Sequence, residues 1–422
     1  MLLLSLLVLS VVSDKTYCEV PKFEALQPIE GYTPVLLQMV FRHGDRSPWL
    51  TYKGDQGVFD CDVSQQLRFL SSSGVEAFEH HHIKTVIDKE KMVFAKDNMY
   101  SGSCQLGQLT RKGLNQLAYL GDQVRSKYVG ENNFLPVDLD TKDIYVRSTQ
   151  VWRVIQSAES FLQHLYPADH RKKDARIKID TLPSEIEYAV KNEKGRCPYS
   201  DQLDKDLFSK YFIDELSDRN NAILKPIYEK MARFFGEVTY NWYDSYFDIL
   251  QELECNDQPF PCRNMTNEDG SVTEECITKE EFDTMVANIY HDNIYRFWDN
   301  GTTEPFPARY ASGWLLRDIL NYQMDRINGV NHLKYTHFHA HDTTIYPLVS
   351  LLEGDYSSWP PYASYIIFEL YEKEGENYIR VGYNNKYLDL NFCEKDANGL
   401  CKFKSFYDHL QAKVLPLNAC DI

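Results

Sequence analysis

Val35-Leu36-Leu37-Gln38-Met39-Val40-Phe41 runs straight into Arg42-His43-Gly44-Asp45-Arg46-Ser47-Pro48. A run that is apolar on both faces is the mark of a central parallel strand rather than a half-solvated one. In open α/β sheets the carboxyl ends of the strands are where ligands sit. Two guanidinium groups flanking one imidazole make poor structure, because like charges repel and charged side chains are rarely buried unpaired. They make a good cradle for a dianionic phosphoryl group. Arginine's forked donors match phosphate oxygens, and a neutral imidazole nitrogen can attack phosphorus. The plainer reading of the same residues is an exposed basic turn.

Two later segments repeat the layout. Ile144-Tyr145-Val146 reads as a short strand ending at Arg147-Ser148-Thr149, and Leu333 to Phe338 reads as another that leads into His339-Ala340-His341-Asp342-Thr343-Thr344. If the three strands are neighbours, Arg42, His43, Arg46, Arg147, His341 and Asp342 converge on one sheet edge. Taken singly, Arg147 could be an ion-pair arginine and His341-Asp342 a simple hydrogen-bonded pair. Their shared place at strand ends is what favours a site. Thr343 onward reads as helix, whose N-terminus would favour an anion. His337 and His339 alternate with Phe338 and read as structural, facing the other side of their strand.

Between these segments the pattern is helical. Thr110 can cap a helix that puts Leu114, Leu117, Ala118, Gly121, Val124 and Tyr128 on one face. Val151 to Leu165 is the next helix, stopped before Pro167. Tyr310 to Tyr322 carries Trp314, Leu315 and Ile319 at helical spacing, while Tyr365–Tyr371 and Tyr378–Tyr383 alternate around a turn as a hairpin. Residues 185–307 are mostly helical and rich in aromatics, with a polar loop from Cys255 to Thr278. The predicted organisation is an α/β catalytic domain made of residues 14–184 and 308–422, and an inserted helical cap lobe at 185–307.

At 422 residues the chain exceeds what one core usually supports, which also favours two lobes. A net charge of −17 argues against nucleic-acid binding, so the arginines must form a local positive pocket. Residues 1–13 are apolar and too short to span a bilayer, and Val11 and Ser13 suit a signal-peptidase cut, so they read as a signal peptide. No later stretch could span a membrane. The ten cysteines form an even set, with no CxxC pair to suggest zinc, and with an export signal they read as disulfides. Asn264-Met265-Thr266 and Asn300-Gly301-Thr302 are acceptors for N-glycans. Consecutive histidines such as His80-His81-His82 cannot all face one ion, so no metal site is expected there.

The three segments resemble the histidine acid phosphatases, whose marks are RHGxRxP, a strand-end arginine in an RST context and a late HD pair. Gly107-Gln108-Leu109-Thr110 with Gly113, and Pro361-Tyr362-Ala363-Ser364, extend the resemblance over nearly the whole mature chain. It implies a phosphoglycerate-mutase-like, mostly parallel sheet flanked by helices. It also implies His43 as a nucleophile that forms a phosphohistidine, without metal or cofactor. Arg42, Arg46, Arg147 and His341 would bind the phosphoryl oxygens, and Asp342 would protonate the leaving oxygen. A bound phosphate beside Asp342 should raise its pKa and keep it an acid. Cys393 with Cys401 and Cys197 with Cys420 are pairs implied by the resemblance, and Cys61 with Cys104 is a further candidate; spacing alone leaves connectivity open. The family also implies a possible homodimer.

Within that resemblance two members compete. Arg147-Ser148-Thr149 looks like the lysosomal and prostatic acid phosphatases. Cys61, Cys104-Gln105-Leu106-Gly107 and the Cys255–Cys276 cluster are similar to the Golgi phosphoxylose phosphatase of proteoglycan linkers. The expected function is hydrolysis of small-molecule or glycan phosphomonoesters in the secretory pathway, whether secreted, lysosomal or in the Golgi lumen. A non-catalytic secreted glycoprotein keeping only the fold is the rival, and the complete set of charged residues speaks against it.

Overall fold

The computed structural model describes residues 15–23, 29–50, 57–62, 104–172, 177–183, 186–189, 216–235, 244–266, 269–297, 306–354 and 358–416, with a few shorter pieces between them. The expected signal peptide, Cys420 and Asn300 lie outside the described residues, as do His81 and His82.

The opening strand is β1, Thr33–Arg42. Short strands β2 (Val58–Phe59), β3 (Phe78–His80) and β4 (Ser101–Gly102) precede helix α1, Arg111–Val124. Then come β5 (Ile144–Ser148), α2 (Trp152–Leu165) and β6 (Ile177–Asp180). The middle of the chain holds α3 (Leu216–Phe235), α4 (Asp244–Cys255), strands β7 (Cys262–Thr266) and β8 (Val272–Cys276), and α5 (Lys279–Phe297). The remainder is α6 (Phe306–Ile327), β9 (Tyr335–Ala340), α7 (Asp342–Leu351), β10 (Tyr365–Lys373), β11 (Glu376–Tyr383), β12 (Lys386–Tyr387), β13 (Cys401–Lys402) and α8 (Phe403–Gln411).

One sheet of nine strands runs β12-β11-β10-β1-β9-β5-β6-β3, with β13 paired to β11. The three strands that carry the site motifs are therefore neighbours, in the order β1, β9, β5. β1 is parallel to β9, and β9 to β5, but β1 is antiparallel to β10. The expectation of a strand parallel on both sides thus holds on one side only. The reason is local: β10 belongs to the hairpin with β11, closed between Lys373 and Glu376, and a hairpin docks without a crossover helix. The α/β class and the mixed, largely parallel sheet flanked by helices stand as read.

Both faces of β1 are buried, as its sequence requires. Leu37, Met39 and Phe41 pack under α1 and α2 with Leu117, Leu120, Phe161 and Leu165. Leu36 and Val40 pack on the other face with Leu316 and Ile319 of α6 and Leu348 of α7. Gln38 is the polar exception, and its amide is satisfied by Gln323 at 2.6 Å and the Ile319 carbonyl at 3.3 Å. Buried that way, it costs little.

Helices α3, α4 and α5 share a separate core in which Met231, Phe234, Leu250, Phe282 and Met285 meet Phe59 and the Cys61–Cys104 bridge. The Cys255–Thr278 stretch differs from the expected loop. It contains the hairpin β7–β8, with Cys262 directly opposite Cys276 and bonded to it. Its strands are polar and mostly exposed, so no apolar alternation announced them. Asn264 sits exposed on β7.

Candidate active site

β1 ends at Arg42, and backbone contacts hold the loop beyond it together with its paired side chains Asp45 and Arg46. The His43 N–H donates to the Ala340 carbonyl at the end of β9 (3.1 Å), and the His43 carbonyl accepts from Ala363 (3.0 Å). Ser47 and Thr110 complete a ladder, through Ser47 N–H to Gln108 and Thr110 N–H to Asp45. The start of α1 lies so close that a Cβ on Gly44 would stand 2.3 Å from the Gly113 carbonyl oxygen, and one on Gly113 would stand 2.1 Å from that of Asp45. Only glycine fits at either place. This is the physical meaning of the Gly107–Gly113 segment that accompanies RHGDRSP.

His43 is 2% exposed and its Nδ1 lies 2.8 Å from the Gly44 carbonyl. A carbonyl can only accept, so Nδ1 carries the proton and Nε2 keeps its lone pair. Burial, and after it the charges of Arg153, Arg42, His341 and Arg46, hold the imidazole well below the ordinary histidine range. It is neutral and basic at one nitrogen, the form a nucleophile needs.

Arg42 is fully buried over the Tyr362 ring at 4.2 Å. Its guanidinium donates to the Pro360 carbonyl (2.5 Å) and the Tyr17 hydroxyl (2.7 Å) and pairs with Asp342 at 2.8 Å. Arg46 pairs with Asp248 (2.6 Å) and Glu252 (3.3 Å) on α4. Burial opposes its charge, yet Asp248 and Glu252 hold its pKa well above the usual arginine value. His341 opens α7, its Nε2 lies 3.0 Å from the Thr149 hydroxyl, and its ring centroid is 5.6 Å from that of His43. Burial, with Arg153 next, drives His341 down as well.

Asp342 accepts from the Thr343 N–H (2.8 Å) and from the Trp359 indole N–H (3.2 Å) besides Arg42. Burial alone would raise its pKa, but Arg42 and His341 bring the balance below the ordinary aspartate value. The expected rise concerns Asp342 beside a bound phosphate, whose negative charge would add to that of the carboxylate.

Arg147 lies apart from this arrangement. It is 4% exposed, pairs with Glu187, approaches Asp318 at 3.6 Å and stacks on Tyr188 at 4.2 Å. The charge that bears most on both His43 and His341 is that of Arg153, in the first turn of α2. Among the described residues Arg153 has one hydrogen bond, to the Gly107 carbonyl at 3.3 Å, and its Nε is buried without a partner. Burial and nearby Arg46 push it down to about 10. A guanidinium held so close to other cations, with no carboxylate partner among the described residues, is of the kind that can take an anion. The sequence offered one signal for it, a second arginine six residues beyond Arg147. A reading restricted to strand ends passed over the helix turn that follows.

Three other contributors went unread. Tyr17 reaches Arg42 from the N-terminal segment that the Cys18–Cys255 bridge anchors to α4, while Asp248 and Trp359 hold Arg46 and Asp342. His337 and His339 are structural as expected. They hydrogen-bond each other at 3.0 Å and stack on Phe41, on the face of β9 away from Phe338. Among the described residues one group could approach a shared ion, Asp45 with Glu252 and Cys255, but the Cys255 sulfur belongs to its disulfide.

The Cys61–Cys104 and Cys393–Cys401 bridges form, and Cys18–Cys255 and Cys262–Cys276 join them unforeseen. Cys197 is disulfide-bonded too, and its expected partner Cys420 lies outside the described residues.

The model of the family described as histidine phosphatase superfamily (branch 2) matches residues 35–384. A protein of Dictyostelium discoideum named Counting factor 60 is 26% identical over 410 residues, covering 95% of this chain and 91% of its own length. The 2-phosphoxylose phosphatase 1 of Xenopus tropicalis is 25% identical over 94% of this chain and 78% of its own. The prostatic acid phosphatase of Bos taurus is 24% identical over 82% and 76%. The phytase of Citrobacter braakii superposes with a TM-score of 0.55 at 14% identity, covering 92% of this chain and 99% of its own, which speaks to the fold alone.

Proposed function

The chain belongs to branch 2 of the histidine phosphatase superfamily, and on that premise we propose that it hydrolyses phosphate monoesters at acid pH through a phosphohistidine on His43. The observation that carries this is the neutral His43, its Nδ1 tied to Gly44 and its other nitrogen free, beside Arg42, Arg46, Arg153 and His341. In the first step Nε2 bonds to phosphorus as the ester P–O bond breaks, and Asp342 gives the leaving oxygen its proton. In the second, water attacks the phosphohistidine, the P–N bond breaks, and Asp342 takes the proton back. Positioning and charge stabilisation supply most of the rate, which a cationic clamp provides. The clamp's fourth member is Arg153 in this reading, and Arg147 braces the neighbouring wall through Glu187 and Asp318.

The pH dependence follows. Turnover needs His43 neutral and Asp342 protonated, and both groups are displaced downward. His43 therefore stays a nucleophile as pH falls, while the protonated fraction of Asp342 grows. Turnover of alkyl phosphates should rise toward acid pH, and aryl phosphates, whose leaving groups need no proton, should depend on pH less. The test is a leaving-group series. His43→Ala should abolish turnover of all esters. Asp342→Asn should slow alkyl phosphates far more than aryl ones, and equal losses on both would remove Asp342 as the acid.

Disulfides such as Cys18–Cys255 and Cys262–Cys276 support an oxidising compartment, so we place the protein in the secretory route. A narrower role on phosphorylated xylose is favoured by the similarity to 2-phosphoxylose phosphatase 1 over 94% of the chain. Side-by-side turnover of a phosphoxyloside and a generic ester separates the two.

A further inference from the structure

At the end of β1 remote from His43, two irregularities of the backbone face each other. β1 carries a bulge between Pro34 and Leu36, where its register with β10 slips. Beyond α1 the helix widens into a π-helical turn over Arg125–Glu131, ended by Asn132. Bulges and π turns both interrupt regular pairing, and both recur where a fold makes room for function. Between them lies a cavity of about 160 Å³ whose walls include Leu36, Leu37, Tyr128, Phe134 and Tyr371.

Two polar groups define what the cavity would accept. Glu369 also lines it, but its carboxylate is fully engaged, one oxygen by the Tyr128 and Tyr371 hydroxyls (both 2.9 Å) and the other by Arg380 (2.6 Å). A cationic ligand would gain nothing there. Asn132 lines it as well, and its Oδ1 is buried with no hydrogen-bond partner among the described residues. A buried, unpaired acceptor is a standing cost that a donor from a ligand would remove. The size is that of an engineered apolar cavity of ~150 Å³ that takes up benzene.

We propose that this cavity is a binding site, separate from the phosphatase centre, for a small, flat, neutral aromatic molecule bearing one N–H or O–H donor. The ring fills the space between β1 and the π turn, and the donor pairs with Asn132 Oδ1. Indole and benzofuran, which share a shape but put a donor or an acceptor at the same place, are suitable probes. Calorimetric titration of the intact protein should give saturable binding of indole, tighter than benzofuran by about fivefold, the worth of one net hydrogen bond. Asn132→Leu should erase that preference while leaving aryl phosphate turnover unchanged, because Asn132 lines the cavity with Pro34 and Leu36 at the end of β1 opposite His43. Intermolecular NOEs from bound indole to the Tyr128 and Tyr371 rings should locate it independently of any variant. No saturable binding of either probe, equal affinities in the unaltered protein, or NOEs to other rings would each overturn the proposal.

Discussion

At the scale of single residues, Arg42, Arg46 and Arg147 are each paired with a carboxylate, whereas Arg153 has none among the described residues. Arg147 is sealed against Glu187, so removing it takes the paired cation from a buried carboxylate that also accepts the Ala189 N–H. Arg147→Ala should therefore lower stability by about 3–5 kcal/mol, read by denaturant unfolding, with little change in the affinity for inorganic phosphate. Arg153 has no carboxylate partner among the described residues, and Arg153→Ala should do the reverse. Its kcat/KM should fall by roughly a hundredfold or more at nearly unchanged stability. Asp45 adds a pH test. It is buried against the Thr110 hydroxyl and Asn256, and burial pushes its carboxyl up to about 6, against 3.8 for a free aspartate. A raised carboxyl pKa stabilises the fold most at acid pH, and that contribution is lost as pH rises from about 4 through 6. Relative to Asp45→Asn, the unaltered protein should lose about 2 kcal/mol of stability over that interval. A constant difference would show that Asp45 does not titrate there. Motif reading found His43 because its neighbours in sequence are its neighbours in space. It missed Arg153 because that contact depends on the direction in which α2 leaves β5.

At the scale of elements, the decisive junction is between the β1 loop and the N-terminus of α1. Gly44 and Gly113 bring two backbones together where no side chain fits. Gly113→Ala should force the loop away from α1, costing about 1–3 kcal/mol and, through displaced His43 and Arg46, most of the activity. Full activity with native stability would show the close approach to be dispensable. Strands whose faces alternate or are wholly apolar, such as β1 and β10, were legible because burial writes itself into hydrophobic pattern. The β7–β8 hairpin was not, since both its faces are polar and the Cys262–Cys276 bridge substitutes for a core. The antiparallel partner of β1 was equally hidden, because pairing direction depends on the connection and not on the strand.

At the scale of the molecule, long-range disulfides tie together pieces that the sequence lists far apart. Cys18 and Cys255 are 237 residues apart, and their bridge holds Tyr17 against Arg42. Replacing both with alanine should cost about 5.5 kcal/mol by the loop-closure model and loosen the Arg42 clamp, raising KM more than it lowers kcat. That pairing could not be read from spacing, which constrains no partner. That β1, β9 and β5 are neighbours could be read from their shared strand-end layout, although the β5 arginine serves an ion pair with Glu187 and not the site. The account as a whole rests on His43 carrying the phosphoryl group. Rapid mixing with a radiolabelled aryl phosphate, an alkaline quench and peptide mapping tests it most directly. The account predicts one stoichiometric, acid-labile label on the peptide containing His43, absent from His43→Ala. Turnover with no labelled intermediate, or label on any other residue, would contradict it.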